Sequence, residues 1–561
     1  MANPPSPYLE PIPDWTPEER PTLPGSPSMP KHSRRMRLVY FFIGVFIALT
    51  AGLSNGFISA NLPALQGEYG LTPVEGAWLA AIYVMCNVTS NLILFKTRQQ
   101  FGIRPFAEIG LGVFVVVMSL HVFVQSYPMA LAVRAVSGFT AAPLSSLGMY
   151  YIMQAFGQAN KAKGLYMGLG FQQLGVPLAW IISPFLTSIG DWTVLYTFEL
   201  GLALCCLAMV VTVKLPPGIR IRVFEGLDFV TFILVAPAVA LICAVLAQGT
   251  LQWWFDTPWL AYALVAGFVL LVLAFFFEHH RASPLIYTRW LASGFALRFA
   301  LGALALRFLL SEQNYAAINV LRTLGMGPDQ LVSYYTVIFV GIITGTVVAA
   351  MTFKPDALLL QLIAAEALII VACAIDYHIS SDVRPHNLFV SQFCAAMATG
   401  MFMGPILLVG VMQALKHGTN YMVTFVLLFA LTQSFGGLLG SAFFGTYQRY
   451  REHDYSAQIV EHVNPTNPEV ARRLQLQQQA YTSTLTDPVL RQAEGVATFS
   501  RIASREAQVR AFSDVIVLNG MIAVIFFFWG IFNIWRARRL ARREAEAAAP
   551  AMIATATPNQ G

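Results

Sequence analysis

Residues 38–61 read LVYFFIGVFIALTAGLSNGFISAN, 24 positions without one Asp, Glu, Lys or Arg. At about 1.5 Å per residue the run makes a helix of roughly 36 Å, enough to cross a hydrocarbon core of about 30 Å. A soluble amphipathic helix of this length would need a charged face, and this one has none. Lipid is the solvent that such a segment fits.

Comparable runs fill most of the 561 residues, of which 56% are hydrophobic and 11% charged, with a mean hydropathy of +0.60. Spans are predicted at 38–61, 75–95, 106–125, 128–154, 162–186 and 193–213, then at 228–248 and 258–277. Six more follow at 291–314, 330–353, 355–376, 387–415, 421–447 and 514–535. The expected fold class is an all-α polytopic membrane protein with 14 transmembrane helices, arranged as six, two and six. The corresponding domains are an N-terminal bundle 38–214, a linker with two extra helices 215–290, and a C-terminal bundle 291–536 that includes an outer loop 448–513. Composition predicts a disordered tail at 1–37, rich in Pro and Ser, and residues 537–561 are expected to form a cytoplasmic tail. The first run is too long for a signal-peptide core and lacks a small-residue cleavage site, so it is expected to remain as a span.

Positive charge retained in short connections marks the cytoplasmic side. With the N-terminus inside, the inner segments hold 21 Lys and Arg, from Lys31, Arg34, Arg35 and Arg37 through Lys96, Arg98 and Arg104 to the cluster of five that starts at Arg536. The short outer connections hold only Arg322 and Arg384. Both termini are therefore expected in the cytoplasm and the long polar segment 448–513 outside. The net charge of +6 is spread over these topology signals and forms no continuous basic face, so no nucleic-acid partner is expected.

The six cysteines lie within apolar runs, where they act as small packing residues, and no disulfide is expected. His279 and His280 are adjacent in a basic turn without further ligands, so no metal is expected. There is no phosphate-binding Gly-Lys-Ser/Thr loop and no clustered nucleophile, base and metal set, so neither a cofactor, ATP-driven transport nor a membrane-embedded enzyme or sensor is favoured.

Ionisable and amide groups at membrane depth are costly and hence the candidate site. Arg134 lies in the fourth span and Glu199 at similar depth in the sixth. Arg307 is deep in the ninth, with Glu312, Gln313 and Asn314 further out. Arg307 and Glu312 are five apart, roughly 140° round a helix, so each is expected to face its own partners. Glu366 lies halfway along the eleventh. Asn55, Asn61, Gln172, Gln173 and Gln433 add neutral hydrogen-bonding capacity, for which helix packing is the simpler alternative at each.

Several of these residues sit in motifs. Leu53-Ser54-Asn55-Gly56-Phe57-Ile58-Ser59-Ala60-Asn61-Leu62-Pro63 closes the first span. Arg134, Gly138, Pro143, Leu144 and Leu147 mark the fourth, followed by Lys161-Ala162-Lys163-Gly164. Arg505-Glu506-Ala507, Ala511-Phe512 and Asp514 open the last. With the six-two-six count, this pattern resembles the fourteen-spanner drug:proton antiporter branch of the major facilitator superfamily.

The resemblance implies the major facilitator fold and a secondary active exporter of lipophilic or amphipathic molecules, driven by protons through alternating access. It also implies residence in the cytoplasmic (inner) membrane, with a periplasmic adaptor protein and an outer-membrane channel as possible partners. Three positions depart from the branch: Ser54 replaces its first-span acid, Gln99 stands where the loop motif has Asp beside Arg98, Gly102 and Arg104, and Ala179-Trp180 replaces its fifth-span Gly-Pro. These departures leave room for an uncoupled permease for a specific metabolite. On the charge pattern, a cysteine introduced at Ser483 in a Cys-less background reacts with an impermeant maleimide in intact cells, and one at Ala548 does not; labelling at Ala548 refutes the predicted orientation.

Overall fold

The computed structural model describes residues 8–11, 13–21, 23–187, 192–463 and 466–555. Fourteen of its helices are long and apolar enough to cross a membrane. They are α1 (Arg34–Glu68), α2 (Pro73–Phe101), α3 (Ile103–His121), α4 (Tyr127–Phe156), α5 (Gln158–Thr187), α6 (Thr193–Thr212), α7 (Gly226–Gln252) and α8 (Pro258–His280). They continue with α9 (Gly294–Thr323), α10 (Pro328–Met351), α11 (Pro355–Ile375), α12 (Pro385–His417), α13 (Tyr421–His462) and α14 (Pro488–Arg536). The outward positions are apolar, among them Phe42, Ile109, Val265 and Phe276. Such an outside suits lipid, because helices bond their own backbone groups and need only an apolar coat.

Helices α1–α6 and α9–α14 form two halves. Close packing depends on small residues: a Cβ on Gly52 of α1 would stand 2.8 Å from the Cα of Gly175 in α5, so the two backbones touch there. The halves meet along α5, which packs on α10 and α12. At the end where α1 begins, called here the basic end, Tyr166 of α5 donates to Gln361 Oε1 of α11 at 2.9 Å and packs edge-on to Phe353 at 5.6 Å. Towards the opposite end, Trp180 of α5 stacks on Tyr335 of α10 with ring centres 4.6 Å apart.

The inserted pair α7–α8 straddles the seam, with α7 against α2 and α13. Away from the basic end, Gln248 reaches the Val74 carbonyl and Trp254 donates to Thr446 Oγ1 at 2.7 Å. At the basic end a buried charge network ties α7 to α2: Lys96 Nζ meets Asp228 Oδ2 at 2.6 Å, and Arg281 Nη2 meets Asp228 Oδ1 at 2.7 Å. Arg281 also pairs with Glu278 at 3.2 Å and with Glu225 at 2.8 Å. Ser283 and Arg281 hold the Glu225 carboxyl below its usual range by hydrogen bonding. The degenerate α2–α3 motif thus draws its acid from Asp228 of the insert.

Three sequence expectations need correction. The N-terminal segment, read as disordered, is docked from residue 8 onward, except that residues 12 and 22, like the first seven residues and the last six of the C-terminal tail, lie outside the described set. Its backbone bridges the connector at Tyr8–Ile221 and Pro27–Gly218, Ser28 accepts from Gln154 Nε2 at 2.9 Å, and Glu10 pairs with Arg220 at 2.5 Å. Composition sees too little apolar surface for a core, but the segment needs none of its own, because it lies on one already built. The outer loop, read as polar with a helical stretch at 469–480, is helical over most of its length. α13 runs for 42 residues to His462, a short helix occupies Pro468–Gln479, and the last helix starts at Pro488 instead of residue 514. Pairs such as Arg510–Glu506 and Arg473–Glu469, one turn apart, sustain these polar extensions where hydropathy falls silent. Finally, α9 continues past residue 314 to Thr323 and takes Arg322 with it.

Removing one partner from the buried network tests its role. Asp228→Asn leaves Lys96 and Arg281 without their shared carboxylate and is expected to cost about 3–5 kcal/mol of stability. The measurement is the midpoint of thermal unfolding of the purified protein in detergent; an unchanged midpoint refutes it.

Candidate functional site

In the N-terminal half the site is organised by Arg134, 2% exposed on α4. Its Nε donates to the Leu79 carbonyl of α2 at 3.2 Å, Nη1 to the Ser54 carbonyl of α1 at 3.4 Å, and Nη2 to Asn55 Oδ1 at 2.8 Å. The guanidinium lies over the Tyr83 ring, 4.4 Å from its centre. Gly138 one turn along makes this reach possible: a Cβ there would sit 2.2 Å from the Tyr83 carbonyl oxygen, so only glycine lets α2 and α4 come this close. The Arg134-Gly138 pair in the sequence is therefore one device. Glu199 of α6, 3% exposed, lies in the same buried cluster as Arg134 and Tyr83, beside Ser54. The acid missing from α1 at Ser54 is thus found in space on α6.

The C-terminal half handles its charges differently. α9 opens into one wide π turn at Gln313–Ala317, a distortion frequent at functional sites. This turn directs Gln313 and Asn314 into the space between the halves, while Glu312 is buried away from the chambers with Asp376 as an acidic neighbour. Gln392 of α12 joins the cluster, its Oε1 accepting from Tyr334 at 3.2 Å and from Gln313 Nε2 at 3.2 Å. Arg307 points the other way, as its offset from Glu312 requires. A Cβ at Gly436 would meet its Cβ at 2.8 Å, so α13 is carved to fit it.

Two neighbouring chambers lie between the halves. One, of about 260 Å³, is lined by Ser59, Trp180, Arg322, Tyr335 and others. The second, of about 370 Å³, includes Asn55, Tyr83, Asn87 and Gln433. Gln173, Arg307 and Asn314 line both. Both amide atoms of Gln433 are buried and without a hydrogen-bond partner.

Of the candidates read from sequence, Asn55, Gln173, Arg307, Asn314 and Gln433 therefore come together at the chambers. Arg134, Glu199 and Glu312 stand behind their walls. Gln172 donates to the Ser145 carbonyl at 2.6 Å and Asn61 to Ser183 Oγ at 2.5 Å, and neither lines the chambers. Glu366 lines a separate cavity of about 420 Å³ with Arg298, Leu359 and Trp529, sharing no residue with the chambers. Sequence reasoning missed Tyr83, Asp376 and Tyr334, and it counted Arg322 only as a topology charge. Arg322 had a signal, since a lone arginine beyond an apolar run can be a helical extension. Tyr83, Asp376 and Tyr334 had none, because their importance comes from neighbours distant in sequence.

The sequence matches the Major Facilitator Superfamily over residues 44–441. The chain belongs to that family. This major facilitator chain is a multi-pass membrane transporter, with 14 helices among the described residues long and apolar enough to cross a membrane. It is 22% identical over 457 residues to the "Multidrug export protein EmrB" of Haemophilus influenzae, a match covering 76% of this chain and 85% of the relative. Among solved structures, it is similar to a bacterial homologue of the human lysosomal transporter Spinster, at 14% identity and a TM-score of 0.48, over 90% of this chain and 99% of that one. A second is the proton:xylose symporter XylE bound to 6-bromo-6-deoxy-D-glucose, at 14% identity and a TM-score of 0.47, over 88% and 97%.

Proposed function

We propose that the protein is a secondary active exporter that moves lipophilic or amphipathic small molecules across the cytoplasmic membrane by alternating access, with both termini in the cytoplasm. The observation that carries this reading is a cavity lined from both halves by Asn55, Gln173, Arg307, Asn314 and Gln433, with the Tyr166–Gln361 hydrogen bond joining the halves at the basic end. A site shared by two halves is emptied to either side by rocking one against the other. The distant similarity to a multidrug export protein supports the outward direction.

Protons are the proposed energy source. A coupled exporter needs a group whose protonation differs between its two states, and Ser54 cannot titrate near neutral pH. Glu312 is the first choice, because the π turn that joins it to Asn314 links any movement at the cavity wall to the carboxyl behind it. Glu199, next to Ser54 and Arg134, is the second, and Glu366, remote from the chambers, the third. An uncoupled permease for a specific metabolite is favoured by Ser54 itself and by Trp180, whose stack on Tyr335 occupies the place of the antiporter Gly-Pro.

Inside-out vesicles separate these readings. Glu312→Gln is expected to retain substrate binding and lose uptake driven by a pH gradient, while Glu366→Gln lowers folding yield alone. Full uptake with normal proton flux in the Gln variants of all three acids rejects the carboxylate relay. Substrate movement without proton flux in the unmodified protein establishes the permease instead.

The helical projection formed by the end of α13, Pro468–Gln479 and the start of α14 is proposed to engage a periplasmic adaptor protein that leads to an outer-membrane channel. Replacing residues 467–498 with a short Gly/Ser linker is expected to abolish efflux from cells and spare transport in proteoliposomes. Loss of both assigns the projection to capping the transporter itself.

A further inference from the structure

The charges that line the two chambers are all of one sign. Arg307 and Arg322 face the cavity, and none of the described residues lining either chamber is Asp or Glu. Arg134 is satisfied by two carbonyls, the Asn55 side chain and the Tyr83 ring, and neither Glu199 nor Glu312 lines the chambers. Among the described residues, neither Arg307 nor Arg322 makes an ion pair. A guanidinium held at membrane depth without a counter-charge is costly, and a transporter retains one where a ligand or water completes it.

The setting of Arg322 refines the point. Its guanidinium lies over the Trp180 ring, 4.8 Å from the centre, and Trp180 in turn stacks on Tyr335. No described hydrogen bond or ion pair uses the Arg322 N–H donors, which suit a carboxylate, sulfonate or phosphate oxygen. The same two rings, 4% and 6% exposed, form an apolar part of the chamber wall beside those donors. Arg307 lies fifteen positions earlier on α9, roughly 22 Å along the axis at 1.5 Å per residue, and the two arginines line one chamber. One cation thus stands towards the mouth and the other at depth. The buried, unpartnered Gln433 amide and Asn314 add neutral donors around the second.

We infer that the transported substrate class is amphipathic organic anions with an aromatic body, received by Arg322 on the Trp180–Tyr335 platform and held deeper by Arg307. This rests on the transporter reading above and names the chemistry of its substrate. It also gives the cavity a preference opposite to that of an acid-lined site, which would take lipophilic cations.

Equilibrium binding to the purified full chain in nanodiscs tests it with three probes. Anilinonaphthalene sulfonate is the anion, N-phenyl-1-naphthylamine carries the same ring system without the sulfonate, and tetraphenylphosphonium is a lipophilic cation. The sulfonate is expected to bind at least about tenfold more tightly than the other two, the weight of one charge-assisted hydrogen bond. Arg307→Gln and Arg322→Gln should each remove that advantage while leaving the neutral amine unaffected, and Arg307→Lys and Arg322→Lys should restore part of it. The Lys variants keep the charge at each position and so decide the matter even if a Gln variant folds poorly. Equal affinity for all three probes, or sulfonate binding indifferent to both arginines, overturns the inference. Transport in proteoliposomes is scored separately: sulfonate that binds through the arginines but is never exported sustains the anion site and rejects the exporter, whereas arginine-independent export of tetraphenylphosphonium does the reverse.

Discussion

In a hydrocarbon slab a guanidinium has no water to fall back on, so its five N–H donors must find oxygen atoms in the protein or in a ligand. The two halves of this transporter meet that constraint in opposite ways. Arg134 is answered inside the N-terminal half by two carbonyls, the Asn55 side chain and the Tyr83 face. It therefore clamps α1, α2 and α4 as a unit. Arg307 is left to the cavity, and α13 is shaped around its stem by Gly436. One half is held rigid by its charge, and the other presents its charge to whatever enters.

The same physics explains how much could be read from sequence. Span number and the six-two-six order were legible because the bilayer imposes length and composition on every segment it touches, and nothing in the tertiary fold can override that. The Arg134-Gly138 spacing was legible because both residues serve one close approach between two helices. Legibility ended where neighbours come from distant segments. Ser54 reads as a lost acid until Glu199 is seen beside it, and Gln99 as a lost partner until Lys96 is seen on Asp228 of the insert. The docked N-terminal segment was illegible for a related reason: its fixed shape belongs to the surface made by Gln154 and the 217–221 connector, not to its own composition.

These exchanges have mechanical consequences. Lys96, Asp228 and Arg281 join the α2–α3 turn to the inserted pair, while Trp254 joins the same pair to α13 in the other half. The insert is thus fastened on both sides of the seam across which the halves must rock. The charge network at the basic end holds α7 to α2 through buried ion pairs, whereas the link to α13 is a neutral hydrogen bond and apolar packing. Neutral contacts are the cheaper to remake, so in a rocking movement the insert is expected to travel with the N-terminal half and slide against α13.

The seam along α5 shows the same division of labour. At the basic end Tyr166 and Gln361 hold the halves through a hydrogen bond that opening must break and water can replace. Nearer the mouth, Trp180 and Tyr335 hold them through stacked rings with Arg322 on the outer face of the stack. Separating those rings exposes apolar surface, unless the flat body of a ligand slides between or beside them. The contact that resists opening is therefore one that an aromatic substrate can replace in kind, and a substrate with an anionic group would at the same stroke satisfy the guanidinium above it. Recognition and gating then draw on the same three side chains, which is the economy that a cavity with no carboxylate among its described wall residues makes possible.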